Sequence, residues 1–221
     1  MTCWARIAIS AVVGVGVTLL SGSTERPLDR PVQPTDLQAY TARALREHFP
    51  NVLLTTQDKK TIRFYDDVIK DRIVMIQFMF TQCDRYCPMV TPNLVKVQKE
   101  LQRQAPNKVT MISITVDPTH DTPEVLKQYS DKFHVQSGWQ FLTGQKNDID
   151  RIRSGLGVYD PEEKKTEHLN VLTIGKEPTG QWLAMEALAT PDDIVQTVLT
   201  LAQNIPSRPP AAARSHVTNR R

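Results

Sequence analysis

The sequence predicts an α/β fold: a central mixed sheet flanked by helices and preceded by an N-terminal hairpin. The runs Ile73–Phe80 and Val109–Val116 are almost entirely apolar, which is typical of strands buried on both faces. A helical pattern follows each run. Two further strand-like segments, Leu169–Ile174 and Gln181–Glu186, surround a turn containing Gly175, Pro178 and Gly180. Strand–helix–strand followed by a hairpin and a helix is the outline of a thioredoxin-like domain.

The remaining elements have recognisable boundaries. Val52–Thr55 and Thr61–Phe64 form the predicted opening hairpin. A helix from about Pro88 to Gln104 follows the first buried strand. Thr122, followed by Pro123 and Glu124, has the signature of a helix start: a capping hydroxyl, a proline and an acidic residue. Two more helices are predicted, one over Asp148–Gly155 and one opening at Thr190 and reaching about Gln203.

A chain of 221 residues suffices for one well-packed domain with a tail at each end. The N-terminal run Ile7–Leu20, preceded by Arg6, has a length between those of a signal peptide and a membrane anchor. Either alternative predicts that the body is exported. The predicted organisation is a signal peptide or anchor (1–23), a linker with a short helix (24–50), a folded domain (51–204) and a disordered basic tail (205–221).

The charge distribution argues against nucleic-acid binding. The last sixteen residues carry four arginines and no acid, which leaves 23 basic and 24 acidic residues in the rest of the chain. A body with a net charge of −1 lacks the basic surface that binds phosphate backbones.

The three cysteines divide into two groups. Cys3 precedes the apolar run, so the exported domain contains only Cys83 and Cys87. Exported compartments are oxidising, so this pair forms a disulfide, holds a metal ion or is kept reduced by a partner.

Cys83 and Cys87 lie where a buried strand leaves the sheet and a helix begins, a usual place for sites in open α/β sheets. The free N–H groups of the helix start favour a thiolate. If both cysteines occupy the first helical turn, their Cβ atoms are about 5–6 Å apart on one face. A disulfide needs about 3.8 Å and therefore a local adjustment, whereas one soft metal ion fits with little change.

Two thiolates do not complete a structural zinc site, but with an imidazole they suit Cu(I). His48, His120 and His134 have positions typical of ordinary surface histidines. His168 precedes a predicted strand and can point toward the sheet end that carries the cysteines, so it is the best candidate for a third ligand. The residues alone leave this assignment open.

Three separated motifs give the chain a resemblance to the Sco/SenC family over roughly residues 50–203. They are Phe80-x-x-Cys83-x-x-x-Cys87-Pro88, the segment from Ile114 to Pro123 with Asp117-Pro118 and Asp121-Thr122-Pro123, and His168 before the late hairpin. The resemblance implies an exported thioredoxin-like metallochaperone of the periplasm, either soluble or anchored to the inner membrane. It implies that Cys83, Cys87 and His168 bind copper, as Cu(I) or Cu(II).

The resemblance also implies delivery of copper to the dinuclear copper centre of cytochrome c oxidase, with oxidase subunit II as a recipient, and a thiol reductant as a possible further partner. The chain departs from better-studied members by having Asp84-Arg85-Tyr86 between the cysteines. We expect the Arg85 cation to favour the thiolate form of the pair.

Three other functions remain open from sequence. A thiol–disulfide oxidoreductase would use Cys83 and Cys87 as a redox pair that reduces a partner's cysteines, with Cys83 as the expected attacking residue because of its exposure. A peroxidase has slim support from Thr81 and Arg85. A purely structural disulfide would close a five-residue ring and stabilise the fold little.

Overall fold

The central strand of the sheet owes its position to an unbroken run of side chains that avoid water. All seven residues of Ile73–Met79 are buried in the computed structural model, which describes residues 48–162 and 170–203. A strand of this kind is stable only with helices or loops on both faces. The prediction of a doubly covered central strand is therefore confirmed.

Seven strands form one mixed sheet within the described residues, in the order β2-β1-β5-β4-β3-β6-β7. Strands β3, β4 and β5 are parallel, and the other neighbours are antiparallel. The strands are β1 (Leu53–Thr56), β2 (Thr61–Arg63), β3 (Ile73–Met79), β4 (Val109–Thr115), β5 (Trp139–Gly144), β6 (Val171–Lys176) and β7 (Gln181–Glu186).

Four α-helices cover the sheet in the same part of the chain: α1 (Cys87–Gln104), α2 (Pro123–Lys132), α3 (Lys146–Gly155) and α4 (Pro191–Gln203). The predicted start of α2 is confirmed, because the Thr122 hydroxyl accepts a hydrogen bond from the Val125 N–H at 3.4 Å. A π-helix spans Phe64–Ile69, and a 3₁₀ turn spans Glu177–Thr179.

The core consists of two apolar clusters, one on each face of the sheet. Successive side chains of β3 point to opposite faces, so Met75 and Met79 enter one cluster while Ile76 and Phe78 enter the other. The first cluster lies under α1 and α4, and the second lies between the sheet, the π-helix and α3. Cys83 packs against both clusters, at the point where they meet.

Two elements were missed in the sequence. Strand β5 joins the parallel core to the opening hairpin by pairing with β4 on one side and β1 on the other. The π-helix begins at Phe64, where the sequence predicted the end of a strand. Its Tyr65 hydroxyl donates to the buried Glu177 carboxylate at 2.7 Å, a contact between residues 112 positions apart.

Several predictions concern residues outside the described ranges. The N-terminal signal or anchor (1–23), most of the linker, the basic tail and His168 all belong to this group. No helix among the described residues combines the length and the apolar composition needed to cross a bilayer.

Candidate metal centre

The cysteine pair lies at the carboxyl end of β3, the strand flanked by β4 and β6 near the middle of the sheet. The chain leaves β3 through a tight turn in which the Cys83 N–H donates to the Phe80 carbonyl at 3.2 Å. Helix α1 begins at Cys87, with Pro88 in its first turn. A proline there has no free N–H to satisfy and has a backbone angle suited to helix initiation. The sequence thus places both sulfurs at the rim of the sheet.

The two cysteines do not share the first helical turn, the condition on which the expected Cβ separation of about 5–6 Å depended. Only Cys87 belongs to α1, and Cys83 lies in the preceding loop. The Cys83 sulfur accepts a hydrogen bond from the Cys87 backbone N–H at 3.5 Å. Cys83 therefore caps the start of the helix with its sulfur, in the direction from which a helix N-terminus attracts negative charge.

The two thiols are free and differ in exposure. Cys83 is partly exposed, whereas Cys87 is buried at 5% exposure among the side chains of the first cluster. The pair thus presents one sulfur toward solvent and keeps the other beneath it.

The pKa values of the two thiols shift in opposite directions. Burial raises the pKa of Cys83, but hydrogen bonds from the Cys87 side chain and from the backbone at Cys87, Arg85 and Tyr86 outweigh it, so the net pKa is lowered. Burial, followed by the interaction with Cys83, raises the pKa of Cys87 to about 12. Cys83 therefore ionises more readily than Cys87, which keeps its proton at neutral pH.

Arg85 acts differently from the sequence expectation. Its guanidinium lies over the ring of Tyr86, 5.5 Å from the ring centroid, and its backbone is among the groups that lower the pKa of Cys83. The contribution of Arg85 to the thiolate therefore comes from its main chain.

A buried carboxylate that the sequence analysis missed supports the cysteine loop. Asp121 is 0% exposed. Its oxygens accept hydrogen bonds from the Thr81 N–H at 3.1 Å and from the hydroxyls of Thr81 and Thr115, each at 2.5 Å. Asp121 entered the sequence analysis only as part of the motif Asp121-Thr122-Pro123 of the family resemblance, which gave no sign that its side chain points inward.

A phenol lies close to the buried thiol. The Tyr129 hydroxyl is 2.8 Å from the hydroxyl of Thr91, which follows Cys87 by one turn of α1. Burial raises the pKa of Tyr129, and negative charge on Cys87 or Cys83 raises it further. Tyr129 is therefore a neutral hydroxyl near the pair.

The described residues supply two of the three expected metal ligands. No cluster of three or more His, Cys, Asp or Glu side chains suited to a metal occurs among them, and His168 lies outside the described ranges. His48, His120 and His134 are all exposed, as expected for ordinary surface histidines.

A parallel-stranded core and a cysteine pair at a strand–helix junction define a thioredoxin-like dithiol protein. Comparison with known sequences extends this description, because residues 41–174 match the family model for SCO1/SenC. This chain belongs to the SCO1/SenC family.

The "SCO1 protein homolog" of Bacillus subtilis (strain 168) is a related sequence, 33% identical over 89 residues. The alignment covers 40% of this chain and 45% of the relative, so the match spans less than half of the relative's length.

Solved structures share the fold. A SCO1/SenC family lipoprotein from Bacillus anthracis str. Ames is 28% identical, with a TM-score of 0.60 over 70% of this chain and 94% of that chain. BsSco, described as a member of the Sco family of cytochrome c oxidase assembly proteins with a disulfide switch, is 25% identical, with a TM-score of 0.59 over 70% and 92% of the two chains. Arabidopsis thaliana ScoI with copper bound, at 21% identity and a TM-score of 0.56 over 68% and 96%, shows the fold alone.

Proposed function

We propose that this protein is a copper-binding chaperone that acts in the assembly of cytochrome c oxidase and holds its cargo through Cys83, Cys87 and His168. The proposal rests on the close approach of two free cysteines at the start of α1, where the Cys83 Sγ accepts a hydrogen bond from the Cys87 N–H at 3.5 Å. Thiolate sulfur is the ligand type that favours Cu(I). Family membership and the BsSco relative support the assembly role.

The position of β6 supports His168 as the third ligand. This strand runs antiparallel to β3, with Leu172 opposite Gln77, so its beginning lies beside the end of β3 that leads to Cys83. Asn170 is the first described residue before β6. Two peptide units separate it from His168, so the Cα atoms of these two residues are at most about 7.6 Å apart.

The cargo site has an accessible donor and a protected one. Cys83 is partly exposed, and a receiving thiolate or imidazole can approach it without opening the core. Exchange of one ligand at a time keeps copper coordinated throughout transfer. We propose oxidase subunit II as the recipient, in a periplasmic setting, with the N-terminal segment as a signal peptide or membrane anchor. The related protein of Bacillus anthracis is a lipoprotein, which supports attachment to a membrane.

Copper titration of the reduced full chain tests the ligand set. Cys3→Ser serves as the background, so that the remaining thiols are those of the pair. We expect one copper per chain and at least a tenfold weaker affinity in His168→Ala. His120→Ala, which removes an exposed imidazole from a loop at the same edge, is the matched control and keeps the affinity. Unchanged copper affinity in His168→Ala overturns the assignment of the third ligand.

A second candidate function is thiol–disulfide exchange, favoured by the opposite pKa shifts of the two cysteines. The Cys83 thiolate would attack a partner disulfide, releasing one partner thiolate and forming a mixed disulfide. Cys87, after losing its proton, would attack Cys83 and release the second partner thiol, leaving a Cys83–Cys87 disulfide.

Trapping distinguishes the two candidates. Cys87→Ser lacks the resolving thiol, so an oxidoreductase would accumulate covalent adducts with a disulfide-containing copper-site peptide, and Cys83→Ser would form none. A copper carrier without this activity would bind copper and form no adducts with the peptide.

A further inference from the structure

Asp121 is a buried carboxylate, and its contacts reach the cysteine loop. A charged group removed from water is costly unless donors satisfy it. Three donors do so: the Thr81 N–H, the Thr81 hydroxyl and the Thr115 hydroxyl. Two of the three therefore come from Thr81, a single residue of the loop.

The elements that hold Asp121 are parts of the regular fold. Thr115 is the last residue of β4 and is 0% exposed. The Asp121 N–H donates to the Asp117 carbonyl at 2.9 Å, and the next residue, Thr122, caps α2. The carboxylate is thus held by the end of a central strand and the start of a helix.

The other end of the contact is the turn that presents Cys83. Thr81 follows Phe80, whose carbonyl accepts the Cys83 N–H at 3.2 Å, so Thr81 lies inside the turn that this bond closes. A displacement of Thr81 moves Cys83 with it. The Cys83 sulfur accepts the Cys87 N–H at 3.5 Å, so this hydrogen bond depends on where the turn holds Cys83.

We propose that Asp121 is a positioning residue that, through Thr81, holds Cys83 in the dithiol geometry at the start of α1. This inference rests on the proposed function, because it names the residue that sets the geometry of the same two cysteines. Without the contact, the reduced state loses the hydrogen bond that Cys83 accepts. The loop is also freer to make the adjustment that a disulfide requires. Both effects favour the oxidised form.

The test compares two hydroxyl donors to the same carboxylate. Thr81→Val removes the hydroxyl on the cysteine loop, and Thr115→Val, the matched control, removes the one on β4. The equilibrium measured is protein dithiol plus oxidised glutathione giving protein disulfide plus two reduced glutathione molecules. It is measured without copper in the full chain with Cys3→Ser, alongside the urea midpoint of each variant.

We expect both valine variants to lower the urea midpoint. Thr81→Val raises the disulfide equilibrium constant about threefold to tenfold, since a lost hydrogen bond to a charged group is a large local effect. Thr115→Val leaves the constant within about twofold of the parent. Thr81→Ser keeps the hydroxyl and is expected to retain the parent value.

Equal shifts in the two valine variants, or no shift in Thr81→Val, overturn the positioning role. A shift in Thr81→Ser as large as in Thr81→Val also overturns it, because the methyl group would then be responsible. If Thr81→Val does not fold, Thr81→Ala removes the same hydroxyl without added atoms, and the same criteria apply. The measurement needs no copper, so a failed copper titration does not affect its outcome.

Discussion

The two thiols should differ greatly in their reaction with iodoacetamide. At pH 8, a pKa of about 12 leaves roughly one Cys87 in 10,000 as thiolate, whereas a pKa below 9.0 leaves at least about one Cys83 in ten. The thiolate populations therefore differ by about a thousandfold or more. A thiolate of lower pKa is less nucleophilic, by about 15- to 30-fold over three pKa units. We expect Cys83 to react at least about 30-fold faster than Cys87.

Peptide mass spectrometry of timed samples measures the two rates separately, and Cys3 is followed as a third site. Cys87→Ser should keep the fast reaction, because the backbone N–H at position 87 still donates to Cys83. In 8 M urea, Cys83 and Cys87 should react at similar rates. Equal rates in the folded protein, or a faster Cys87, would refute the assignment of Cys83 as the more readily ionised thiol.

Three further predictions concern stability. The pKa of Cys87 rises from 9.0 in the unfolded chain to about 12 in the folded protein, so the contribution of this thiol to stability is complete below pH 9 and is lost as the pH rises toward 12. Over this pH range the unfolding free energy of the reduced protein should fall by no more than about 4 kcal/mol. Urea titrations of Cys87→Ser should show a smaller fall. Gly175→Ala places a Cβ atom 2.2 Å from the Trp182 ring, so the urea midpoint should drop by the equivalent of about 1–3 kcal/mol, and an unchanged midpoint would contradict this packing. Tyr65→Phe leaves one oxygen of the buried Glu177 without its 2.7 Å donor, and calorimetry should show a loss of about 1–3 kcal/mol.

The parts of the fold that the sequence predicted well are those controlled by local chemistry. Strand β3 has an apolar residue at nearly every position, and Thr122 and Pro123 start a helix by capping and backbone restriction alone. Strand β5 has polar Gln140 and Thr143 among its apolar residues, and its place in the sheet depends on partners distant in the chain. Short strands of that kind are determined by tertiary pairing rather than by periodicity.

The candidate site was likewise predictable from sequence only in part. Spacing and flanking residues predicted that Cys83 and Cys87 lie at a strand–helix junction, and the structure has them there. A helix start near Pro88 was predicted, which agrees with the loop position of Cys83, but the hydrogen bond from the Cys87 N–H to the Cys83 sulfur was not predictable. The inward direction of Asp121 was also hidden, since it depends on Thr81 and Thr115, which are 40 and 6 residues away.

The packing of Cys83 against both apolar clusters has a mechanical consequence. Most core side chains belong to one layer, so a change in one of them is absorbed on that side of the sheet. Cys83 touches both layers, and drawing its sulfur toward Cys87 to form a bond would alter the packing above and below the sheet together. Oxidation of the cysteine pair would therefore change the packing of both apolar clusters together.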